Sequence, residues 1–526
     1  MMTLSYHGTP LLAVLVISAC TCSGSQVPGE APLPMARAVT GRVAYEARQP
    51  TTSGASAARE VRPARFVSLE VLDASGRTLT SGATDADGRF ELAALPGAAQ
   101  LVVWARVSNS DHDVAVTLDI QGTQTHRLDV PIAGDLSAPL DIVATDGAEG
   151  GPAGAFHILD TMLVGLEAAE RWTGRQMPPV FVYWGRGITT SWSYYRGEQP
   201  AGSGRYALEL MGGDPGQQHT TDTDEHDEAI MLHELGHLVM DLISTSSSLT
   251  GRHPPGVLVD PGLAWEEAKV SWFAVAARND PLYQDTIGVE PIGRLRVDRD
   301  YSRVNPGPRG IGSEQTAGEV LWDLADGAGG IEDRNDDGVA LGPDGVMAAL
   351  VAMSRVDGSW PCVSSFLRFL IDSGRVGELD LKAMLQRTGQ PEDLLPLPGA
   401  ASWPEDLSLG SVASGAIDGL SDPAPSGGPA HPSTGFDSTR AYRFRLQSPA
   451  PIEVRLDISG SGAPADHQDL DLELRSTAGE LIGTSRGTGA DERILTPPLP
   501  AGWYIVHVRD AGNGNRARFG LVVSSR

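Results

Sequence analysis

The segment 224–241 constrains the fold most strongly, because it carries two histidines and an acid on one amphipathic helix. Its central sequence is His233-Glu234-Leu-Gly-His237. Two histidines four residues apart lie one turn apart on the same helical face, so both can reach one metal ion. Glu234 points to the neighbouring sector, where it can take a proton from a metal-bound water. An apolar stripe at helical spacing supports the helix: Ile230, Leu232, Leu235, Leu238 and Val239.

The residues before the motif predict where this helix begins. Thr223 is the expected N-cap, and the acids that follow it would favour the positive end of the helix dipole. Those acids are Asp224, Glu225, Asp227 and Glu228. Gly236 is a poor helix former, so we expect another backbone or a metal-binding loop to approach closely there. The five-residue pattern also occurs by chance, and the alternative is an amphipathic helix whose histidines line a partly buried face.

A catalytic zinc site needs a third protein ligand and leaves the fourth position to water. The best candidate lies on a second predicted helix, which begins with Asp260 as N-cap and Pro261 at the first helical position. Glu267 stands among apolar residues of this helix, where a carboxylate usually needs a partner. Glu266 is the alternative ligand, since either glutamate could face solvent. We favour Glu267.

These two helices together resemble the gluzincin clan of metallopeptidases, whose second helix carries a Trp-x-Glu motif. Trp265-Glu266-Glu267-Ala268 matches that motif with Glu267 in the ligand position. More closely, residues 154–326 are similar to a group of bacterial lipoproteins and secreted zinc proteases. These share an acidic lead-in to the first helix, here Thr223-Asp-Glu-His-Asp227, and a run like Val320-Leu-Trp-Asp-Leu-Ala-Asp326. The resemblance implies a central α+β, zincin-like metallopeptidase domain over residues 150–400. It implies Zn²⁺ bound by His233, His237 and Glu267, with Glu234 as general base and a peptide or protein as substrate.

One departure from the clan concerns the support of the zinc-binding histidines. A ligating histidine usually donates its other ring N–H to a nearby acceptor. Ser271 stands where many gluzincins carry an aspartate, and Asp323 or Asp326 could take that role instead. If none of them does, the alternative is a non-catalytic lipoprotein whose degenerate peptidase fold serves adhesion or binding. A donor must also stabilise the oxyanion, and the sequence leaves four candidates open: His253, Tyr194, Tyr195 and Tyr301.

The run Arg205–Met211 alternates polar and apolar residues and predicts a strand before the active helix. The resemblance implies that this strand forms the edge of the sheet. A peptide substrate could add to such an edge through main-chain hydrogen bonds.

The N-terminus predicts a targeting segment. Residues 11–19 form an apolar run too short to span a bilayer. Ile17-Ser18-Ala19-Cys20 resembles the lipobox of bacterial lipoproteins, which implies a signal peptide over residues 1–19, lipidation of Cys20 and a tether over residues 20–38. We therefore expect a cell-envelope location, as an outer-membrane lipoprotein attached only through its lipid anchor. A simple signal peptide and a secreted protein are the alternative.

The remaining sequence indicates a multidomain chain. Residues 39–145 predict short strands and resemble a carboxypeptidase-regulatory-like β-sandwich, whereas residues 401–436 are rich in Pro, Gly and Ser and predict a linker. Residues 437–526 return to a β pattern that resembles the jelly-roll-like pre-peptidase C-terminal domain. The net charge of −27 argues against nucleic acid as a partner, because the phosphate backbone repels a strongly acidic protein. We expect a monomer.

An acidic stretch after the two motif helices predicts a calcium site. Its spacing matches the Asp-x-Asn-x-Asp-Gly loop typical of calcium-binding proteins. A plain acidic turn is the alternative. The ligands would be Asp333, Asn335, Asp337, the backbone carbonyl of Val339, and Asp344 at the twelfth position.

Overall fold

The computed structural model describes residues 37–526 apart from 95, 133–137, 148–150, 190–191, 218, 246–248, 250, 252, 330, 332–337, 359, 396–402, 420–433, 459–468, 478, 489–490 and 513. The predicted signal peptide, Cys20 and nearly all of the tether lie outside these residues. So do Asp333, Asn335 and Asp337 of the predicted calcium loop.

The N-terminal part contains only strands among its described residues. They are β1 (Arg37–Ala47), β2 (Pro50–Thr51), β3 (Gly54–Ala55), β4 (Glu60–Pro63), β5 (Ser68–Asp73), β6 (Thr78–Ala83), β7 (Arg89–Ala94), β8 (Ala98–Trp104), β9 (Arg106–Ser108), β10 (Asp113–Thr117), β11 (Arg127–Pro131) and β12 (Leu140–Ala144). The central part mixes helices and strands. They are α1 (Ala153–Thr173), β13 (Val180–Tyr183), β14 (Tyr194–Glu198), β15 (Tyr206–Glu209), α2 (Glu228–Ile243), α3 (Pro261–Arg278), β16 (Leu282–Ile287), β17 (Arg294–Asp300), α4 (Glu314–Ala325), α5 (Gly342–Met353), α6 (Val363–Asp372) and α7 (Glu378–Arg387).

The C-terminal part again contains strands. They are β18 (Glu405–Asp406), β19 (Val412–Asp418), β20 (Thr439–Leu446), β21 (Ala450–Asp457), β22 (Leu470–Ser476), β23 (Leu481–Ser485), β24 (Asp491–Leu499), β25 (Gly502–Asp510) and β26 (Arg516–Ser525). The chain is thus multidomain, with many β-sheets and a minority of helices. None of the helices in the described part of the chain is both long and apolar enough to cross a membrane.

Two sheets form the N-terminal region. One has the order β12-β1-β4, with β7 also paired to β1, and the other has the order β11-β8-β5-β6. Alternate side chains of both sheets are buried in one core, including Val43 of β1, Val71 of β5 and Leu101 of β8. This pattern is that of a β-sandwich, in which the inward-facing residues of two sheets share the interior.

The predicted N-terminal domain over 39–145 loses two strands to the central region. The sequence assigned all of the short strands in residues 39–145 to the N-terminal sandwich, but β10 pairs in parallel with β13, from Val114 opposite Val180 to Thr117 opposite Tyr183. β9 pairs with β10 at the outer side of the same sheet. The strand itself was readable from its apolar residues, whereas its partner lies more than sixty residues away and left no local signal.

The central sheet has the order β14-β15-β13-β10-β9. β10, β13 and β15 run parallel, and β14 runs antiparallel to β15. The prediction that Arg205–Met211 forms the edge strand is therefore wrong. Its strand, β15, lies inside the sheet with Ala207 and Leu208 fully buried, and β14 forms the edge. The edge position was implied by the resemblance alone, and the alternation of Arg205–Met211 predicted only that a strand forms there.

The helices of the central region pack in chain order, α1 against α2, α2 against α3, and α3 against α4. Every residue of α3 from Pro261 to Ala276 is buried, as expected for a helix at the centre of a domain. The predicted close approach at Gly236 is present. A Cβ atom added there would lie 3.0 Å from the Cβ of Val270 and 3.2 Å from Cδ1 of Phe273 on α3.

A second β-sandwich ends the chain. Its sheets have the orders β18-β20-β25-β22-β23 and β19-β26-β21-β24, and their buried residues form a separate core. The predicted linker over 401–436 is wrong in part, because β18 pairs with β20 and β19 pairs with β26 along its whole length. The small residues of Val412–Asp418 hid this strand, since they have the composition of a linker. Residues 420–433 lie outside the description.

Candidate metal centre

Helix α2 begins later than the sequence predicts. Asp227 immediately precedes its first residue, so the prediction that Thr223 caps the helix is wrong. The acids of the lead-in are instead held by other parts of the fold. Glu225 accepts a hydrogen bond from Nε of Arg186 at 2.8 Å, and Asp227 accepts from the backbone N–H of Thr286 at 3.0 Å. These partners lie far away in sequence and outweigh the local dipole.

Helix α3 begins as predicted. The side chain of Asp260 accepts hydrogen bonds from the backbone N–H groups of Gly262, at 2.9 Å, and Leu263, at 3.4 Å, and Pro261 occupies the first helical position. The cap fixes the rotation of the helix at its start. Glu267, seven residues after Asp260, faces α2.

The two glutamates of α3 have different partners. Oε2 of Glu267 lies 3.3 Å from Nε2 of His233 and 3.5 Å from Nε2 of His237. Glu266 is also buried, but it accepts a hydrogen bond at 3.0 Å from Nζ of Lys269. Neither glutamate faces solvent. Glu266 is paired with Lys269 on its own helix, whereas Glu267 contacts the two histidines.

The arrangement around Glu267 has the chemistry of a metal site. One ligand atom from each of His233, His237 and Glu267 lies within 4.8 Å of the other two. The imidazole rings stand almost perpendicular, at 83°, with centroids 4.9 Å apart. Oε2 of Glu267 is fully buried and accepts no hydrogen bond, although two ring nitrogens lie near it. Two imidazoles and one carboxylate are a donor set that suits Zn²⁺, so the residues present fit that ion.

Ser271 supports the first histidine. Its Oγ lies 3.1 Å from Nδ1 of His233, and on its other side it lies 3.5 Å from Oε1 of Glu314. Arg299 donates a hydrogen bond to the same Glu314 oxygen at 2.7 Å. Sequence reasoning missed Glu314 because it follows Ser271 by more than forty residues and only folding brings them together. Its only local signal is that it opens a helix capped by Ser313.

Asp323 and Asp326, the predicted alternatives to Ser271, lie at the C-terminal end of α4. Both are buried. Ser271 is the residue whose contact with Nδ1 of His233 the structure shows directly.

Of the four predicted oxyanion donors, the structure places His253 beside the predicted metal ligand Glu267. Its Nε2 lies 3.5 Å from Oε1 of Glu267, and its Nδ1 lies 3.8 Å from Oε2 of Glu314. Tyr194 and Tyr195 belong to the edge strand β14, where the hydroxyl of Tyr195 donates to Asp241 at 3.0 Å. Tyr301 is completely buried and packs against the ring of Tyr283. Tyr283 in turn packs edge-on against His233, a contact that sequence reasoning missed.

The charges of this group keep its acids ionised. Burial raises the pKa of Glu267, but the facing imidazoles of His253 and His237 outweigh it and hold the pKa well below its usual range. Burial likewise raises the pKa of Glu314, and Arg299 and His253 lower it to about 2. An ionised Glu267 is the form that a metal ion binds.

Glu234, the predicted general base, is buried beside the ligands on α2 and is 7% exposed. The structure describes two of the predicted calcium ligands. Val339 is buried and precedes α5, whereas Asp344 is exposed and lies in the first turn of α5. The carboxylates that would complete that loop lie outside the described residues, so the calcium loop stays a prediction.

Comparison with known proteins gives little. No family model and no curated protein matches the chain. The pre-peptidase C-terminal domain of a Bacillus anthracis collagenase is similar at 15% identity, covering 23% of this chain and 92% of that chain, with a TM-score of 0.17. A periplasmic inhibitor of g-type lysozyme from Aeromonas hydrophila is similar at 15% identity, covering 23% and 97%, with a TM-score of 0.14. A cycloisomaltooligosaccharide glucanotransferase from Paenibacillus sp. is 8% identical over 93% and 72%, with a TM-score of 0.12.

These TM-scores are too low to support an argument about this chain. The first likeness concerns a pre-peptidase C-terminal domain and extends over a small part of the sequence. The two β-sandwiches described above stand on their own strand pairing.

Proposed function

We propose that the chain is a zinc-dependent metallopeptidase with a zincin-like central domain, in which His233, His237 and Glu267 hold the ion. One observation carries the proposal: two imidazole Nε2 atoms meet at a buried carboxylate oxygen that accepts no hydrogen bond, at 3.3 and 3.5 Å. Three protein ligands leave a coordination position free for water, as in catalytic zinc sites.

Zinc bound there would lower the pKa of a coordinated water and polarise the scissile carbonyl. Glu234 would accept the proton that this water releases as the new C–O bond forms. It would then deliver the proton to the leaving nitrogen as the C–N bond breaks, so that the carboxylate is regenerated. Its place next to His233 in sequence, and its burial, favour this role.

His253 is the best-placed group to stabilise the oxyanion. Its side chain is 36% exposed, so one side faces open space while Nε2 lies near Glu267. Glu314 lies near the other ring nitrogen and orients the ring. A donor held by a carboxylate costs little reorganisation as charge develops on the substrate.

The edge strand β14 offers a binding surface for a peptide. β15 is its strand partner within the described chain, so the main-chain groups on its other side can pair with an added strand. The register shifts between Tyr195 and Gly197, which marks a bulge in this edge. The substrate expected from this geometry is an extended peptide segment.

The alternative is a non-catalytic protein with a decayed site, which the serine at position 271 would favour. Attachment to the cell envelope through Cys20 and a monomeric state also remain predictions.

The test combines metal analysis with hydrolysis. The full chain is loaded with Zn²⁺ and assayed on a quenched fluorescent peptide library, beside Glu234→Gln and the control Glu167→Gln on α1. We expect one zinc ion per chain in all three proteins. Glu234→Gln should lose about 100-fold or more of kcat/KM, because it removes the base but no ligand. Zinc binding without turnover on any peptide in the wild type would support the non-catalytic alternative.

A further inference from the structure

A second group of acids lies where the lead-in of α2 meets β16. Asp222 immediately precedes the lead-in, Asp224 belongs to it, and Asp285 belongs to β16. One oxygen atom from each of the three carboxylates lies within 4.8 Å of the other two. A β-bridge between Asp222 and Ile287 joins the two segments beside this cluster. The fold therefore brings three carboxylates together where the segment before α2 pairs with β16.

Two oxygen atoms in this cluster are buried without a partner. Asp285 is 5% exposed, and its Oδ1 accepts no hydrogen bond. Oδ1 of Asp222 is likewise inaccessible and accepts none. Asp224 is 3% exposed, and its Oδ2 accepts a hydrogen bond from the hydroxyl of Ser193. A buried carboxylate oxygen without a donor costs free energy, unless a proton or a cation occupies the space in front of it.

The protein supplies too little positive charge to balance the cluster. Arg296 donates a hydrogen bond from Nη1 to Oδ2 of Asp222 at 2.5 Å, and its Nε lies 3.7 Å from Oδ2 of Asp285. Three carboxylates share this guanidinium, and Arg294 adds a weaker favourable charge at Asp222, so the cluster keeps a net negative charge. Asp227, three residues after Asp224, adds a further charge and accepts a hydrogen bond from the hydroxyl of Thr286. A divalent cation would supply the positive charge needed to balance the three carboxylates.

The electrostatics agree with this count. Burial, and then the charge of Asp222, raise the pKa of Asp285 to about 7. Burial and the neighbouring aspartates raise the pKa of Asp224 well above its usual range. Without a cation the cluster must therefore keep protons at a pH where isolated aspartates have lost them.

We propose that Asp222, Asp224 and Asp285 bind one hard divalent cation of the calcium class. Such ions take oxygen ligands at about 2.3–2.6 Å, so two ligand atoms on one ion lie at most about 5 Å apart, as they do here. The bound ion would tie the lead-in of α2 to β16. It would thereby hold the helix that carries His233 against the strand whose Tyr283 packs on that histidine. The site uses no residue of the predicted calcium loop and does not depend on the zinc proposal.

The experiment counts bound calcium on the full chain. Wild type, Asp285→Asn and the control Asp298→Asn are stripped of metal, reloaded with Zn²⁺ and titrated with CaCl₂ by calorimetry. Asp298 is exposed on β17, the partner strand of β16, so its loss leaves the cluster intact. We expect Asp285→Asn to bind one calcium equivalent fewer than the other two proteins. Calcium sites elsewhere in the chain cancel in this difference.

Equal calcium stoichiometry and affinity in wild type and Asp285→Asn would overturn the proposal. Because the substitution removes a repelling charge, the variant is expected to fold. If Asp285→Asn does not fold, Asp222→Asn, at a less buried position, is expected to bind the same one calcium equivalent fewer. A parallel titration with MgCl₂ defines the ion: weaker binding of Mg²⁺ than of Ca²⁺ at this equivalent supports the calcium class, and the reverse order overturns that assignment.

Discussion

Oγ of Ser271 lies 3.1 Å from Nδ1 of His233, and the same hydroxyl lies 3.5 Å from Glu314. A hydroxyl can accept a hydrogen bond from a ring N–H and donate one to a carboxylate. Ser271 therefore links His233 to the carboxylate of Glu314 through one intervening hydroxyl. It fixes the tautomer of His233 that leaves Nε2 free to face Glu267.

Replacing this hydroxyl should weaken metal binding without unfolding the protein. In Ser271→Ala the ring N–H of His233 loses its acceptor, and we expect zinc affinity to fall by about 10-fold to 100-fold. Competition with a fluorescent zinc chelator measures the loss. Ser364→Ala, a buried serine on α6, is the matched control and should keep wild-type affinity. Equal affinities in wild type and Ser271→Ala would show that Ser271 does not support the site.

Gly236 sets the distance between the two helices that carry the ligands. In Gly236→Ala a methyl group would lie 3.0 Å from the Cβ of Val270, so α2 and α3 must move apart. Alanine gains about 1 kcal/mol of helix propensity, but overpacking a core costs about 1–3 kcal/mol. We expect a lower free energy of unfolding in urea and weaker zinc binding, because Glu267 moves with α3. A more stable variant with unchanged zinc affinity would contradict this account.

The sequence could predict those parts of the site that rest on local rules. Asp260 caps α3 through backbone N–H groups two and three residues away, so the start of that helix was readable. Thr223 was not the cap of α2, because the acids after it bind Arg186 and Thr286, which are distant in the chain. Where a side chain's partner comes from another element, helix propensity and the dipole lose to tertiary contacts.

Strand partners show the same limit. The apolar alternation of β15 was visible, but its position inside the sheet depends on β14, which the sequence did not single out. β19 has the composition of a linker and becomes a strand because β26 offers it a complete ladder of hydrogen bonds. The periodicity of a segment predicts that it is a strand, whereas its place in the sheet depends on which other segments reach it.

The contact between the N-terminal sandwich and the central region includes a buried cluster of ion pairs around Asp146. Asp146 is 1% exposed and accepts hydrogen bonds at 2.5 Å from Nε of Arg48 and from Nη2 of Arg186. Burial raises the pKa of Asp146, but contacts with His226 and Arg186 outweigh it and lower the pKa below its usual value. Its contribution to stability is thus present above about pH 4 and is lost as the pH falls.

Asp146→Asn would leave the buried guanidinium of Arg48 without its counter-charge and would leave Arg186 with Glu225 alone. We expect it to lower the free energy of unfolding by about 3–5 kcal/mol at pH 7.5, measured by urea denaturation. Asp113→Asn removes half of an exposed pair with Arg106 and should cost less than about 1 kcal/mol. Similar losses in the two variants would mean that the buried pair contributes no more than a surface pair.

The acid cluster at β16 predicts an unusual dependence of stability on pH. In the cation-free protein the pKa of Asp285 is raised from 3.8 to about 7, with Asp222, Asp224, Asp227 and Arg296 as its charged neighbours. The folded state then keeps a proton that the unfolded chain releases near pH 4, so the free energy of unfolding falls as the pH rises from about 4 to about 7. The slope from this one group is at most about 1.4 kcal/mol per pH unit. The variant Asp285→Asn should lack this contribution to the slope of the free energy of unfolding against pH.

Calcium should reverse this trend, because the ion binds the ionised carboxylates and its affinity therefore increases as Asp285 loses its proton. Ligand binding to the folded state raises the melting temperature by mass action. We expect the increase in Tm caused by CaCl₂ to be larger at pH 8 than at pH 5.5 in the wild type, and to shrink at both pH values in Asp285→Asn. Asp298→Asn should follow the wild type. A calcium-induced Tm increase that is the same at the two pH values would separate calcium binding from the ionisation of this cluster.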